Sequence, residues 1–528
     1  MFTIFGLVSF SFANNTLVFA ISLDVNELDP GNSLTCYVVE NIFEGLVKFR
    51  EGATMIEACL ATSWEISGDG KEITFHLRKG VKFHDGTDFN ADAAVFSFAR
   101  QYDPNHPYHQ YGKWATWSYI FNYVDRIEKV DDYTVKLFLK RPNASILNSL
   151  AICQVSIVSP ANAEKYKEDA FKHPCGTGPF QFVERVQGDH ITLEANENYW
   201  RERVRLDQLI FKVIPDPAVR LMALEVGEVQ GMEYPNPANF DRIKQNKDLV
   251  LMNKPGMNVG FLAMNTGYGY IDANKNGVKD PDEPLQKTPG YFEPLTKKKV
   301  RQAINIAIDK QAIVDNIYMG VAIKAKNGMP PFMLGYNDDI EDYPYDPKRA
   351  KALLVEAGYP DGFEVTLHVI PVSRPYMPDP PKLGEAIQSY LAAVGIKVKI
   401  YQFEWANYLQ ELFEGKHQMC LIGWISDNGD PDNFMNINYG TNRASIGVAV
   451  NRAFYINDEV QELFSKALAN YDNKKREIYY KKAQEIIHED AGWVYLVHST
   501  QNMVFKNNIK GFVLNPTGRL FFYPVWVE

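Results

Sequence analysis

The chain has 528 residues, 46% of them apolar and 23% charged. That is enough apolar side chain to bury sizeable cores, and it excludes disorder as the main state. At roughly 150 residues per domain the length suggests about three or four domain-sized units, and the net charge of −10 is a poor balance for binding nucleic acid or an anionic membrane.

No charge occurs before Asp24, and no Lys or Arg before Lys48. Met1–Phe12 is an apolar run, and Ser11-Phe12-Ala13 at its end is a small-x-small cleavage pattern. Residues 1–13 therefore read as an export signal, although the usual basic opening is missing. A membrane anchor is the rival. Asn14, Asn15 and Thr16 interrupt the run before it reaches the ~20 apolar residues a span needs, and no other stretch is long enough. A soluble, exported protein is expected.

Trp64–Leu77 alternates on either side of Gly68-Asp69-Gly70 and predicts a β-hairpin. Tyr133–Leu139 alternates as a further strand, and Asp92–Arg100 predicts a helix capped by Asn90. The period then changes. Lys297–Tyr318 carries one apolar stripe ended by Gly320. Asp346, Pro347 and Gly358 are N-cap, first-turn proline and C-terminal glycine of the next helix. A βαβ unit follows: strand Phe363–Ile370, helix Leu383–Val394, strand Ile396–Tyr401. A short helix near Tyr408–Phe413 leads to strand Met419–Trp424. Helix Lys474–Ile487 precedes strands at Trp493–His498, Asn502–Phe505 and Gly511–Leu514. The fold class is α/β, with a mixed or parallel sheet covered on both faces.

Five cysteines, at 36, 59, 153, 175 and 420, form no CxxC pair. Cys153 and Cys175 pair, or all five are inert thiols; the count is odd, so at least one is free. No HExxH, GxSxG or P-loop occurs. Asp338 and Asp339 read as a solvated turn rather than a catalytic dyad.

In open α/β sheets ligands bind beyond the carboxyl ends of the strands. Arg374 falls there after strand 363–370, and Asp427 after strand 419–424. If these strands are parallel, both loops leave the same sheet edge. An Arg and an Asp at one rim suit a zwitterion, guanidinium to carboxylate and aspartate to ammonium. Tyr376, Trp405 and Trp424 crowd the same region. On pattern alone the plainer reading prevails: the charged residues as a salt bridge or solvated loop residues, and the aromatics as core.

Several phrases carry a resemblance: Leu77–Gly86 (LRKGVKFHDG), Phe89–Asp92 (FNAD), Gly176–Phe180 (GTGPF), Lys299–Ile304 (KVRQAI), Gly335–Ile340 (GYNDDI), Arg374-Pro375-Tyr376 and Asp427–Phe434 (DNGDPDNF). Along nearly the whole chain it resembles the dipeptide-binding branch of the peptide- and nickel-binding solute-binding proteins of ABC importers (family 5, cluster C). The resemblance implies a type II periplasmic-binding-protein-like fold of two lobes with an extra subdomain in the first. Lobe I would comprise 14–60, 175–265 and 499–528, the extra subdomain 61–174, and lobe II 266–498. It implies that Arg374 clamps the ligand carboxylate, that Asp427 holds the α-ammonium, and that Trp405 and Trp424 line the side-chain pocket. Two fixed opposite charges select ligand length, because one residue more adds at most ~3.6 Å and misplaces a terminus. Ser426 stands where the branch usually has glycine, and Asp24–Pro30 lacks a glycine common before its Asp-Pro.

An insertion at 267–294 is outside the resemblance. It contains Asp272-Ala-Asn274-Lys-Asn276-Gly277-Val278-Lys279-Asp280-Pro-Asp-Glu283. Side-chain oxygens at positions 1, 3, 5 and 9, Gly at 6 and Glu at 12 match a calcium loop. Asp272, Asn274, Asn276, Asp280, the Val278 carbonyl and Glu283 would ligate Ca2+ in a structural role. Pro281 and Pro284 exclude a normal exiting helix, and a polar surface turn is the plain alternative.

The expected protein is a non-enzymatic, exported and monomeric receptor at the periplasmic or outer face. It needs no cofactor, captures a dipeptide or short peptide and passes it to an ABC permease. The rivals are a receptor for an oligosaccharide, haem or a nickel complex, a secreted peptidase, and a calcium-dependent scaffold module.

Overall fold

Two sheets share one strand. The computed structural model describes residues 15–528 except 26, 34, 35, 113 and 115–117, and of 118 and 119 the backbone only; the expected export signal at 1–13 lies outside these. The strands expected at 493–498 and 502–505 are one continuous strand, Trp493–Lys506. The polar stretch Ser499-Thr500-Gln501 reads as a break, yet pairing on both sides keeps it extended. Ala322–Lys324 pairs with 497–499 on one side, and Leu249–Pro255 pairs with 500–506 on the other.

The first half of this strand belongs to the second lobe, beside Asn258–Met264. The second half belongs to the first lobe, beside Gly231–Glu233. Thr16–Ile21 is central there, parallel to Gln208–Val213, and the antiparallel strands His190–Ala195 and Phe180–Val186 complete the sheet. Asn258–Met264 pairs along its whole length with Met419–Ile425 and packs in the second core. The lobe boundary expected at 265/266 therefore falls before Asn258.

The chain crosses between lobes at 256–257 and 498–500. Asn258 ties the crossings together: its Oδ1 accepts from the Ser499 N–H at 2.9 Å, and its carbonyl meets His498 Nδ1 at 2.9 Å. Gly256 is needed at this point, since a Cβ there would lie 2.7 Å from the Ser499 carbonyl oxygen.

The extra subdomain is built on a four-stranded antiparallel sheet in the order Ala61–Ile66, Glu72–Leu77, Thr134–Leu139, Val124–Asp131. Its core also takes in Leu46–Leu60, so this packing unit begins before residue 61. Helix Ala91–Tyr102 covers it, and the Asn90 side chain accepts from the Ala93 N–H as expected.

In the second lobe Phe363–Val369 lies parallel to both Ile396–Gln402 and Met419–Ile425. The apolar stripe 297–318 is two helices, Lys298–Ala307 and Lys310–Asn316. Asp309 interrupts it because its carboxylate caps the second helix at the Ala312 N–H. Gly511–Leu514 is not a strand; Ile509–Lys510 pairs with Trp526–Val527 instead.

Cys36 and Cys153 form a disulfide with Cα atoms 5.9 Å apart, correcting both readings of the cysteines. Cys153 opens the short turn Cys153–Val155, which packs against the turn Pro30–Asn32 in the first lobe. Cys175 is buried elsewhere, against Asp85, and burial pushes its thiol up to about 12. Beside the disulfide Arg100 forms a buried bidentate pair with Asp29 at 2.7 and 2.9 Å.

Three histidines, His368, His417 and His498, are buried, and His84 and His488 are half-buried. Burial lowers His84, His368, His488 and His498 to about 4 and His417 to about 3. Their folded values lie below the unfolded value, so their contribution is present above pH ~6.5 and is lost as pH falls through ~4. Each costs about 1.4 kcal/mol per pH unit inside that window. Glu40, Asp432 and Glu233 act oppositely, because burial raises the first two to about 7 and about 6 and raises Glu233 as well; their contribution is present at low pH and lost as pH rises. Five groups outweigh three, so the melting temperature is expected to fall from pH 7 to pH 4.5. A flat profile by circular dichroism across that range would contradict the burial of these rings.

Candidate functional site

The parallel register of Phe363–Val369 and Met419–Ile425 brings the loops after them to the same edge. Arg374 opens a tight turn closed by two backbone hydrogen bonds with Met377, at 2.9 and 2.8 Å. Its guanidinium lies 4.0 Å from the centre of the Trp405 ring. Its Nε is buried without a hydrogen-bond partner, and among the described residues it has no carboxylate partner. Trp405 is the first residue of helix Trp405–Phe413, capped by the Glu404 carboxylate. The site thus presents a guanidinium flattened on an aromatic face, with its fork unspent.

Tyr376, expected to line the ligand site, is 6% exposed and packs in the second-lobe core within electrostatic reach of Arg374. Its ring covers Gly423, where a Cβ would lie 2.4 Å from the ring and 2.3 Å from the Val259 carbonyl oxygen. Only glycine admits that approach. The Tyr318 hydroxyl donates to the Tyr376 carbonyl at 2.9 Å, and Ser499 Oγ to the Pro375 carbonyl at 2.7 Å. Tyr376 and Ser499 therefore hold the Arg374 turn in place, and Ser499 ties it to the interlobe crossing.

Asp427 is set by Asn433, which sequence reasoning passed over although it lies in the quoted motif. The Asp427 N–H donates to Asn433 Oδ1 at 3.0 Å, and Asn433 Nδ2 donates back to Asp427 Oδ2 at 3.2 Å. The same Oδ1 accepts from Trp424 Nε1 at 3.1 Å. One amide thus positions both the carboxylate and the indole. Asn433 sits in helix Pro431–Tyr439, capped by Asp430, whose carboxylate also pairs with buried Arg476 at 2.6 Å. Ser426 has a use of its own, because its Oγ accepts from the Gly429 N–H at 2.8 Å.

The facing wall comes from the first lobe. Arg519 Nη2 reaches the Asp427 carbonyl at 3.5 Å, and Arg519 pairs with Glu40 at 3.5 Å. Tyr234 lies within electrostatic reach of Arg374, and its hydroxyl meets that of Tyr37 at 3.1 Å. No motif marks Arg519, Glu40 or Tyr234, since they come from three distant stretches of chain. The lobes touch beyond the site. Asn428 donates to Ser149 Oγ at 3.1 Å, and Asn148 donates to the Asn428 carbonyl at 2.9 Å.

Residues 56–445 match the family model "Bacterial extracellular solute-binding proteins, family 5 Middle". The chain belongs to this family. A curated relative from Escherichia coli K12, "Dipeptide-binding protein", is 39% identical over 92% of the chain and 89% of its own length. "Heme-binding protein A" of Haemophilus influenzae is 38% identical over 98% and 93%. Among solved structures, an ABC-transporter-associated periplasmic binding protein from Helicobacter pylori in complex with the peptide STSA is 35% identical. It has a TM-score of 0.83 and covers 97% of this chain and 98% of that one. The α/β, two-lobed fold expected from sequence is that of these family 5 structures. Among the described residues of this family 5 protein, no helix is long and apolar enough to cross a membrane.

The inserted loop of the family 5 protein folds back on itself. The Asp272 carboxylate accepts from the N–H groups of Asn276 and Gly277, at 3.1 and 2.8 Å. Asn274 and Asn276 both donate to Asp280 Oδ2 at 2.8 Å. Glu283, 7% exposed, accepts from Ala273 and Asp280 at 2.8 and 3.1 Å. Gly277 has φ +74°, which the bend requires. Among the described residues no three His, Cys, Asp or Glu side chains converge as a metal centre, so any cation here would need the asparagine and backbone oxygens as well.

Proposed function

We propose that this protein captures a dipeptide or short peptide in the cleft between its lobes and delivers it to the membrane permease of an ABC importer. The supporting observation is the pair at the strand ends: a guanidinium with no carboxylate partner among the described residues and with its Nε buried unbonded, and a carboxylate aimed by Asn433. Opposite charges on separate loops fit the two ends of a zwitterion, and lobe closure removes them from water. Titration calorimetry with a free dipeptide, the same dipeptide blocked at both termini, and haem tests this. Binding of the free dipeptide alone is expected. Binding of haem or the blocked peptide with indifference to the free one would replace the reading, and peptide cleavage products would make the protein a peptidase.

The receptor works as an exported monomer without catalysis. The Cys36–Cys153 disulfide supports an oxidising, extracytoplasmic setting. Native mass spectrometry of the purified protein reads its oligomeric state.

The insertion holds a structural Ca2+ through Asp272, Asn274, Asn276, the Val278 carbonyl, Asp280 and Glu283. Spaced oxygens on one tight loop support this reading. Adding calcium to chelator-stripped protein is expected to raise the melting temperature, with stabilisation of ~2.7 kcal/mol at a hundredfold excess over Kd. The Asp272→Ala variant is expected to show no rise. An unchanged melt of the wild-type protein on adding calcium would remove the metal from the account.

A further inference from the structure

Away from the cleft, a cavity of about 590 Å3 opens where the two lobes meet. The extra subdomain contributes Lys140 and Arg141; the second lobe contributes Lys275, from the insertion, and Arg443. Among the described residues no carboxylate lines it. None of the four cations makes an ion pair among the described residues, in a protein of net charge −10. Arg443 Nε is buried without a hydrogen-bond partner. Arg141 lies over the buried Tyr123 ring at 4.6 Å, which fixes its plane at the cavity wall. Asp432, outside the lining, lies within electrostatic reach of Arg443, and Asp272, Asp280 and Glu283 of the insertion share the neighbouring Tyr270 with it. A backbone hydrogen bond from Ala144 to the Leu468 carbonyl, 2.7 Å, joins the lobes beside the cavity.

We infer that this cavity binds a small multivalent oxyanion, of the phosphate or polycarboxylate class. Four like charges in one concavity repel one another and raise the local potential, so an anion entering relieves repulsion and finds oriented donors. Arginine forks suit oxygens arranged in a plane or tetrahedron, and lysines add point charge. The volume admits such an anion with water and exceeds what a bare chloride would fill. Its walls belong to different lobes, so an anion bound there favours the closed form. By linkage it also tightens the cleft ligand, a consequence that rests on the peptide-capture reading.

Calorimetric titration of the full chain with inorganic phosphate, and separately with citrate, at ionic strength matched with chloride, decides the matter. One saturable site per chain is expected for phosphate, citrate or both. Arg443→Gln and Arg141→Gln are each expected to weaken it at least ~tenfold, the loss of one charge-assisted contact. Circular dichroism checks that the variants fold. Lys140→Gln and Lys275→Gln alter exposed side chains without bonds, so they read out the same effect should Arg443→Gln unfold. No saturable uptake of either anion, or uptake unchanged in the variants, overturns the site. This titration needs no peptide, so it stands or falls apart from the reading of the cleft.

Discussion

Replacing Arg374 with alanine is expected to weaken peptide binding by about two to three orders of magnitude. Truncating one partner of a buried, hydrogen-bonded charge pair costs about 2–5 kcal/mol, and 1.4 kcal/mol is a factor of ten. Here the loss is doubled in kind, because the ligand carboxylate loses its partner and Trp405 loses the plane stacked 4.0 Å above it. Arg374→Lys keeps the charge but not the fork, so it is expected to recover only part of the affinity. The melting temperature of Arg374→Ala should stay close to wild type, since the guanidinium makes no ion pair among the described residues. Calorimetry with a free dipeptide measures the effect. Affinity within threefold of wild type would mean that Arg374 does not hold the ligand.

Asp430→Ala is expected to have the largest effect on stability, a loss of about 3–5 kcal/mol. The substitution strands Arg476, whose side chain is 4% exposed and which pairs with Asp430 at 2.6 Å. It also removes the cap of helix Pro431–Tyr439. Two variants separate these causes. Asp430→Asn keeps a capping oxygen and still takes from Arg476 its ion pair, leaving the longer-range field of Asp432, so it should remain strongly destabilised. Asp430→Ala with Arg476→Met removes both charges and should recover most of the loss. Urea unfolding compares them, and a loss below ~1 kcal/mol for Asp430→Ala would show that the pair is not a structural anchor. The helix carries Asn433, so folded Asp430→Ala protein is also expected to bind peptide more weakly.

Much of the fold was legible because local chemistry repeats. Asn90, Asp346 and Gly358 mark helix ends by the hydrogen bonds and backbone angles that ends require, and they stand where expected. Of the three parallel strands of the second lobe, Met419–Ile425 reads as an apolar run because it is buried, whereas Ile396–Gln402 alternates because Lys397 and Lys399 face solvent. Errors arose where a local signal met a non-local partner. Ser499-Thr500-Gln501 looks like a break, but pairing strands from two lobes make it the middle of a 14-residue strand. Asp309 lies inside an apolar stripe, and its capping bond to Ala312 divides the helix. Cys36 and Cys153 are separated by 117 residues, and no spacing rule joins them.

At the site, the sequence by itself determined which loops follow which strands, and so that Arg374 and Asp427 share an edge once the strands are parallel. It also determined the spaced oxygens of the insertion and the surplus of acids over bases. Only the tertiary structure decided that Tyr376 serves as packing against Gly423, that Asn433 aims both Asp427 and Trp424, and that Arg519, Glu40 and Tyr234 form the facing wall. It alone gathered Lys140, Arg141, Lys275 and Arg443 around one cavity. The reason is physical: capping and periodicity act over a few residues, whereas burial, close approach and uncompensated charge depend on segments that only the folded chain brings together.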